Sequence, residues 1–105
     1  MRQNGAMPEQ KAPSAVDVYW RPGCPFCNRL FRAFERAGVT TVLHNIWEDG
    51  DARAFVQAHN RGNETVPTVA IEDLVVTNPD PAAFIDALQQ RFPSVIASLE
   101  PAPPD

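Results

Sequence analysis

Two residues of this chain could carry redox chemistry, Cys24 and Cys27, and they are its only cysteines. They follow the apolar, β-like run Val16–Trp20 and precede a helical pattern from Asn28 to Ala37. At such a strand-to-helix junction, the first sulfur lies among unpaired N–H groups whose partial positive charge favours a thiolate. The second sulfur lies one helical turn further on, within reach of a disulfide bond. The pattern predicts thiol–disulfide exchange.

Two neighbours of Cys24 support its role as the attacking sulfur. Pro25 suits the first position of a helix, because its missing N–H would have no partner there. Arg21, three residues upstream, can add positive charge. We therefore expect Cys24 to be held as a thiolate beside an open groove. We expect Cys27, the resolving thiol, to be more buried and less acidic.

The second informative motif is Thr65-Val66-Pro67. Because only about 5–6% of X-Pro bonds in folded proteins are cis, the sequence alone predicts a trans bond. In that reading Pro67 simply begins a strand. A cis bond would instead let Val66 turn its backbone N–H and C=O toward Cys24 and pair with an incoming disulfide.

A metal site is the alternative for the cysteine pair. Cys24, Cys27, His44 and His59 together make a possible zinc ligand set. The two histidines, however, fall on different predicted elements and lack the close spacing that zinc sites usually show. We therefore predict no bound metal.

Composition narrows the class of protein. The chain has 105 residues, enough for one domain, and a net charge of −4 with scattered basic residues, which argues against nucleic-acid binding. No apolar run is long enough to span a bilayer, and the first residues lack the apolar core of a secretory signal. We expect a cytoplasmic protein, with a flexible tail at 1–15, one domain at 16–92 and a Pro-rich tail at 93–105.

The elements that must position these motifs follow from periodicity and turn residues. Strands are predicted at Val16–Trp20, 39–46, Thr68–Ile71 and Leu74–Thr77, with helices after Cys24, after Asp49 or Asp51, and after Asp80. The first helix is expected to bury Phe26, Leu30, Phe31 and Phe34, and the second to place Ala52, Phe55, Val56 and His59 on one face. A strand–helix–strand unit followed by a hairpin predicts a four-stranded mixed sheet with three helices, in the order β-α-β-α-β-β-α.

With the Cys24–Cys27 motif, the Thr-Val-Pro motif and this element order, the chain resembles the glutaredoxins over about 16–92. The resemblance implies a thioredoxin-like α/β fold, a cis Val66-Pro67 bond and disulfide reductase activity. It also implies a monomer that needs no tightly bound cofactor and takes electrons from a small thiol. The implied thiol-binding residues are Arg21, Pro22, Pro25, Phe26, Thr65, Val66, Pro67, Asn78 and Asp80.

A finer similarity concerns which small thiol is used. The segments 62–69 and 76–79 are similar to those of the actinobacterial mycoredoxins, which reduce mixed disulfides of mycothiol, a sugar-based thiol. Glutathione-using glutaredoxins carry Gly-Gly followed by acidic residues where this chain has 77–80. The resemblance therefore implies mycothiol, with glutathione as the other choice, and Asn78 and Asp80 as polar contacts to a hydroxyl-rich ligand.

Other functions remain open at this point. One is an electron donor that depends on thioredoxin reductase, like the redoxins that supply ribonucleotide reductase. Another is a protein that holds an iron–sulfur cluster with Cys24 and an external thiol. A pure interaction module is the last, and it predicts that Cys24→Ser leaves function intact.

Overall fold

The computed structural model describes residues 12–97, which contain four strands and three helices in the predicted order. The strands are β1 (Val16–Trp20), β2 (Thr41–Asn45), β3 (Thr68–Ile71) and β4 (Leu74–Thr77). The helices are α1 (Pro25–Ala37), α2 (Gly50–His59) and α3 (Pro81–Arg91), followed by one 3₁₀ turn at Pro93–Val95.

The four strands of this region form one mixed sheet in the order β2-β1-β3-β4. β1 runs parallel to β2 and antiparallel to β3, and β3 pairs with β4 as a hairpin. Tyr19, near the end of β1, lies opposite Thr68, the first residue of β3. The loop that follows β1 and the loop that precedes β3 therefore meet at one end of the sheet. This pairing brings the two sequence motifs together.

Helix α1 begins at Pro25, directly after Cys24, as predicted. Cys24 is its N-cap, with extended backbone angles, and Pro25 stands at the first helical position as expected. The helix ends before Gly38, whose φ of 77° lies in the left-handed region that glycine adopts without strain. For α2, Asp49 is the N-cap, which decides between the two candidates. Asp80 caps α3 as predicted.

The core is divided between the two faces of the sheet, because successive strand residues point to opposite sides. Val18 belongs to the larger cluster with residues of α1 and α3, whereas Tyr19 packs against the smaller one beside α2. The helical members of the larger cluster are Leu30, Phe34, Phe84 and Leu88. Ile46, Ala52 and Val56 form the smaller one.

Phe26, which was predicted to be buried, is 55% exposed and lines a cavity with the 78–80 turn. On α2, His59 is exposed and Phe55 is 37% exposed, although Phe55 stacks on Tyr19 with ring centroids 4.7 Å apart. Helical spacing identified the right face, but it could not show where each helix passes the end of the sheet.

The domain boundary predicted at Phe92 falls short of the packed structure. Val95 and Ile96 are buried in the larger core cluster. Ile96 pairs with Val39 in an antiparallel bridge, and the Thr40 N–H donates to the Val95 carbonyl at 2.8 Å. Residues just after α3 therefore belong to the domain, and the predicted tail at 93–105 begins too early.

The remainder of the predicted tails, 1–11 and 98–105, lies outside the described residues. On the described side, the Ser94 hydroxyl donates to the Pro13 carbonyl at 2.6 Å. Within 12–97, α1 is the longest helix, and none of the helices has the length and apolar character needed to cross a membrane.

Candidate active site

The side chain of Cys24 occupies the capping position of α1. Its Sγ accepts a hydrogen bond from the Cys27 N–H at 3.2 Å, where capping oxygens of other helices would accept. The Cys24 carbonyl in turn accepts from the Asn28 N–H at 3.1 Å and begins the helical bonding. The sulfur therefore faces a directed N–H at the positive end of the helix dipole.

The Val66-Pro67 bond is cis, as the resemblance implies, so the trans bond expected from general frequencies is wrong. The Val66 carbonyl oxygen lies 3.9 Å from Cys24 Sγ, within reach of a weak S–H···O bond. A sequence gap of 42 residues separates these two groups. They meet because β1 and β3 are adjacent and antiparallel.

The open groove expected at Cys24 is not observed. The residue is only 3% exposed, because its sulfur turns inward to the Cys27 N–H and the Val66 carbonyl. Pro22 and Gly23 in the preceding loop are exposed, as are Pro25 and Phe26 at the start of α1. The sulfur therefore lies directly beneath an exposed rim.

Cys27 is fully buried, and neither cysteine forms a disulfide. Burial raises the pKa of the Cys27 thiol to about 12, and its hydrogen bond with Cys24 acts in the same direction. The backbone N–H and the charge of Arg21 lower that pKa by smaller amounts. Cys27 is thus a protonated, less acidic thiol at neutral pH, which suits the second step of an exchange.

We expect alkylation of Cys27 in the reduced protein to follow this raised pKa. Since only the thiolate reacts, its iodoacetamide rate should keep rising about tenfold per pH unit above pH 9 and not level off there. In denaturant, the rate should level off near the ordinary thiol pKa of about 8.5. Peptide mapping by mass spectrometry after timed labelling measures both profiles. A plateau near pH 9 in the folded protein would contradict the assignment.

A cavity of about 200 Å³ adjoins the cysteine loop. It is lined by Phe26, Arg29, Asn78, Pro79, Asp80 and Pro81. Three predicted ligand residues, Phe26, Asn78 and Asp80, therefore share one cavity. Arg29 was not predicted here, although it follows Phe26 by three positions and so lies on the same face of α1.

The turn after β4 joins this cavity to the proline loop. Asn78 has a φ of 48°, in the left-handed region that asparagine tolerates better than most residues. Its N–H donates to the Pro67 carbonyl at 2.6 Å. Asp80 accepts from the Ala83 N–H at 3.0 Å as the cap of α3, so one of its oxygens holds the turn in place.

Two other predicted ligand residues, Arg21 and Thr65, are not among the residues that line this cavity. The Arg21 guanidinium donates to the Pro22 carbonyl at 3.0 Å and lies 5.8 Å from the centroid of the Trp47 ring. Arg21 therefore contributes charge near the cysteines while its head group covers an aromatic ring. Thr65 is exposed, and its carbonyl accepts from the Thr68 hydroxyl at 2.9 Å.

Within residues 12–97, no group of three or more His, Cys, Asp or Glu side chains is arranged to hold a metal ion. His44 instead contacts Asp17 at 3.0 Å and stacks on Tyr19, with ring centroids 4.7 Å apart. His59 is the last residue of α2. A second, wider cavity of about 710 Å³ lies between β2 and the start of α2, and neither cysteine lines it.

Comparison with known proteins gives a consistent picture. The glutaredoxin family model matches residues 16–76, more than half of the chain. A probable glutaredoxin of Synechocystis is 29% identical over 87 residues, which cover 83% of this chain and 80% of the relative.

Two solved structures are similar along most of their length. The glutaredoxin of Brucella melitensis is 26% identical with a TM-score of 0.62, over 80% of this chain and 94% of that one. NrdH-redoxin of Escherichia coli, a glutaredoxin-like protein with a thioredoxin-like activity profile, is 25% identical with a TM-score of 0.58. That match covers 85% of this chain and 99% of NrdH-redoxin. The predicted thioredoxin-like fold class is confirmed.

Proposed function

The chain belongs to the glutaredoxin family, and from that premise we propose that it reduces mixed disulfides between proteins and a low-molecular-weight thiol. The observation that carries the proposal is the placement of Cys24 Sγ. It receives an N–H at the start of α1 and lies 3.9 Å from the carbonyl before the cis-proline. The N–H favours an attacking thiolate, and the carbonyl is a backbone group beside the position that a disulfide substrate would take.

The proposed reaction has two exchanges. The Cys24 thiolate attacks the small-thiol sulfur, a new S–S bond forms on Cys24, and the protein sulfur leaves as a thiolate that takes a proton from water. A second molecule of the small thiol, as thiolate, then attacks the adduct, which releases a small-thiol disulfide and regenerates Cys24. When a protein disulfide is the substrate, Cys27 attacks the mixed disulfide on Cys24. The substrate protein is released reduced, and the enzyme ends with a Cys24–Cys27 disulfide.

We infer that the small thiol occupies the cavity beside Phe26. Asn78 and Asp80 offer an amide and a carboxylate there, which suit the hydroxyl groups of a sugar-based thiol such as mycothiol. The Gly-Gly turn of glutathione-using relatives is replaced here by residues with larger side chains. Asn78 keeps the left-handed backbone of such a turn and adds an amide. The proposed enzyme works as a monomer in the cytoplasm, where thiols are kept reduced.

We expect wild-type enzyme to reduce one mixed-disulfide substrate about tenfold faster, in kcat/KM, with mycothiol than with glutathione, the equivalent of roughly 1.4 kcal/mol. The measurement is coupled turnover with each thiol at matched concentration. Asn78→Gly should reduce this preference, because glycine keeps the backbone but removes the amide. Glu72→Gly is the matched control, since Glu72 also has a positive φ, of 53°, but lies in the β3–β4 turn. Equal rates with both thiols contradict the mycothiol assignment and leave the reductase assignment standing.

A second candidate, an electron donor that is itself reduced by thioredoxin reductase, is favoured by the similarity to NrdH-redoxin. Turnover with NADPH and thioredoxin reductase in place of a small thiol tests it. The iron–sulfur alternative predicts colour and iron in anaerobically purified protein. We rank both below the small-thiol reductase, because Asn78 and Asp80 line a cavity beside Phe26 that suits a hydroxyl-rich thiol.

A further inference from the structure

Asn60, the C-cap of α2, has a side-chain amide that joins three elements. Its Nδ2 donates to the Val56 carbonyl at 2.9 Å and to the Thr68 hydroxyl at 3.4 Å. Its Oδ1 accepts from the Thr77 hydroxyl at 2.7 Å. One side chain thus links the end of α2 with the first residue of β3 and the last residue of β4.

The two threonines occupy equivalent places in the hairpin. Thr68 and Thr77 face each other directly across β3 and β4. Thr68 is fully buried, and its hydroxyl also donates a hydrogen bond to the Thr65 carbonyl at 2.9 Å. Thr68 therefore borders the cis-proline loop, 65–67, and Thr77 borders the 78–80 turn.

We propose that Asn60, Thr68 and Thr77 are positioning residues that hold the two ligand loops at a fixed separation. The proposal rests on the proposed function, in which 65–67 faces the disulfide and 78–80 faces the small thiol. The two loops touch directly through the Asn78 N–H and the Pro67 carbonyl, at 2.6 Å.

The physical reason is that short loops hold one geometry only when their ends are fixed. The hydroxyl of Thr68 is satisfied as donor by Thr65 and as acceptor by Asn60. Removing the Thr77 hydroxyl leaves the Asn60 Oδ1 without that donor in a part-buried place, which favours a shift of the amide and of both strand ends. Cys24 Sγ makes these hydrogen bonds with the Cys27 N–H and the Val66 carbonyl and not with the three side chains, so the effect should reach substrate binding and leave the nucleophile intact.

The first test compares Thr77→Val, which removes the hydroxyl at similar volume, with Thr77→Ser, which keeps it. We expect Thr77→Val to raise KM for the mixed disulfide about tenfold with little change in kcat, as for one lost hydrogen bond that leaves its partner unpaired. Thr77→Ser should restore KM. Thr41→Val, in a half-buried position opposite Val16 at the far end of the sheet, is the matched control and should behave as wild type.

The second measurement does not depend on turnover. Hydrogen exchange of the Asn78 backbone N–H reports its hydrogen bond to the Pro67 carbonyl. Protection of this N–H from exchange should fall in Thr77→Val and in Thr68→Val but not in Thr41→Val. Unchanged Asn78 exchange and KM in Thr77→Val overturn the proposal, and so do equal losses in Thr41→Val. If wild-type protein turns over no mixed disulfide, the proposed function fails, while the exchange data still decide whether these residues couple the loops.

Discussion

Cys24→Ser should lower the turnover of every disulfide substrate by at least about a thousandfold, because a serine hydroxyl at neutral pH is not a thiolate and does not exchange with disulfides. The variant should stay folded. Serine is a preferred N-cap residue, so its oxygen can take over the hydrogen bond from the Cys27 N–H. The measurement is turnover of a small-thiol mixed disulfide and of a protein disulfide, with thermal unfolding as the folding control.

Cys27→Ser is the matched substitution for that experiment. It should retain reduction of the small-thiol mixed disulfide and lose reduction of the protein disulfide, because only the second needs an internal resolving thiol. Activity retained in Cys24→Ser but lost in Cys27→Ser would reverse the assignment of the two sulfurs. Absence of disulfide turnover in the wild-type protein would instead favour the interaction module, whose function should survive Cys24→Ser.

Phe34→Ala should reduce the free energy of unfolding by about 3–5 kcal/mol, the usual cost of removing a large buried aromatic side chain. Phe34, on α1, is 2% exposed and belongs to the larger core cluster. Its ring centroid lies 6.0 Å from that of Phe84. Because small domains are stable by only about 5–15 kcal/mol, this loss is a large part of the total. Urea unfolding of the reduced protein measures it.

Phe26→Ala provides the control on the same helix. Phe26 is 55% exposed, so the same change should cost less than about 1 kcal/mol of stability. It should instead weaken binding of the small thiol, since Phe26 lines the proposed cavity. Equal destabilisation by both substitutions would contradict the difference in exposure between the Phe34 and Phe26 rings.

Much of the fold was predictable because it depends on local rules. The Asp-Pro pair at 80–81 marks the start of α3, and Gly38 marks the end of α1, since caps and left-handed turns select residue types directly. The predicted bounds of β3 and β4 are also observed, because runs rich in β-branched residues are separated by the turn at Glu72-Asp73. The packing of the C-terminal residues was not predictable, because a three-residue 3₁₀ turn has too little periodicity to reveal its buried side.

The site likewise combines features that were predictable from the sequence with features that were not. Cys24 as helix cap follows from spacing, whereas the exposure of Phe26, the place of Arg29 in the cavity and the Asn60 contacts do not. Each of these depends on which segments lie next to one another across the sheet. A polar residue such as Asn60 at a helix end is ordinarily a local cap, and nothing in its neighbours shows that two distant threonines will meet it.

By itself, the sequence determined that a Cys-x-x-Cys pair stands at the start of a helix, which residues begin and end the helices, and the family to which the chain belongs. Only the tertiary structure decided that Cys24 is covered and that the two ligand loops are hydrogen-bonded to each other, and it decided between the trans bond expected from general frequencies and the cis Val66-Pro67 bond implied by the resemblance. The reason is physical: a helix cap depends on residues within one turn. Burial, proline isomer and loop separation depend on contacts between groups that chain connectivity leaves far apart.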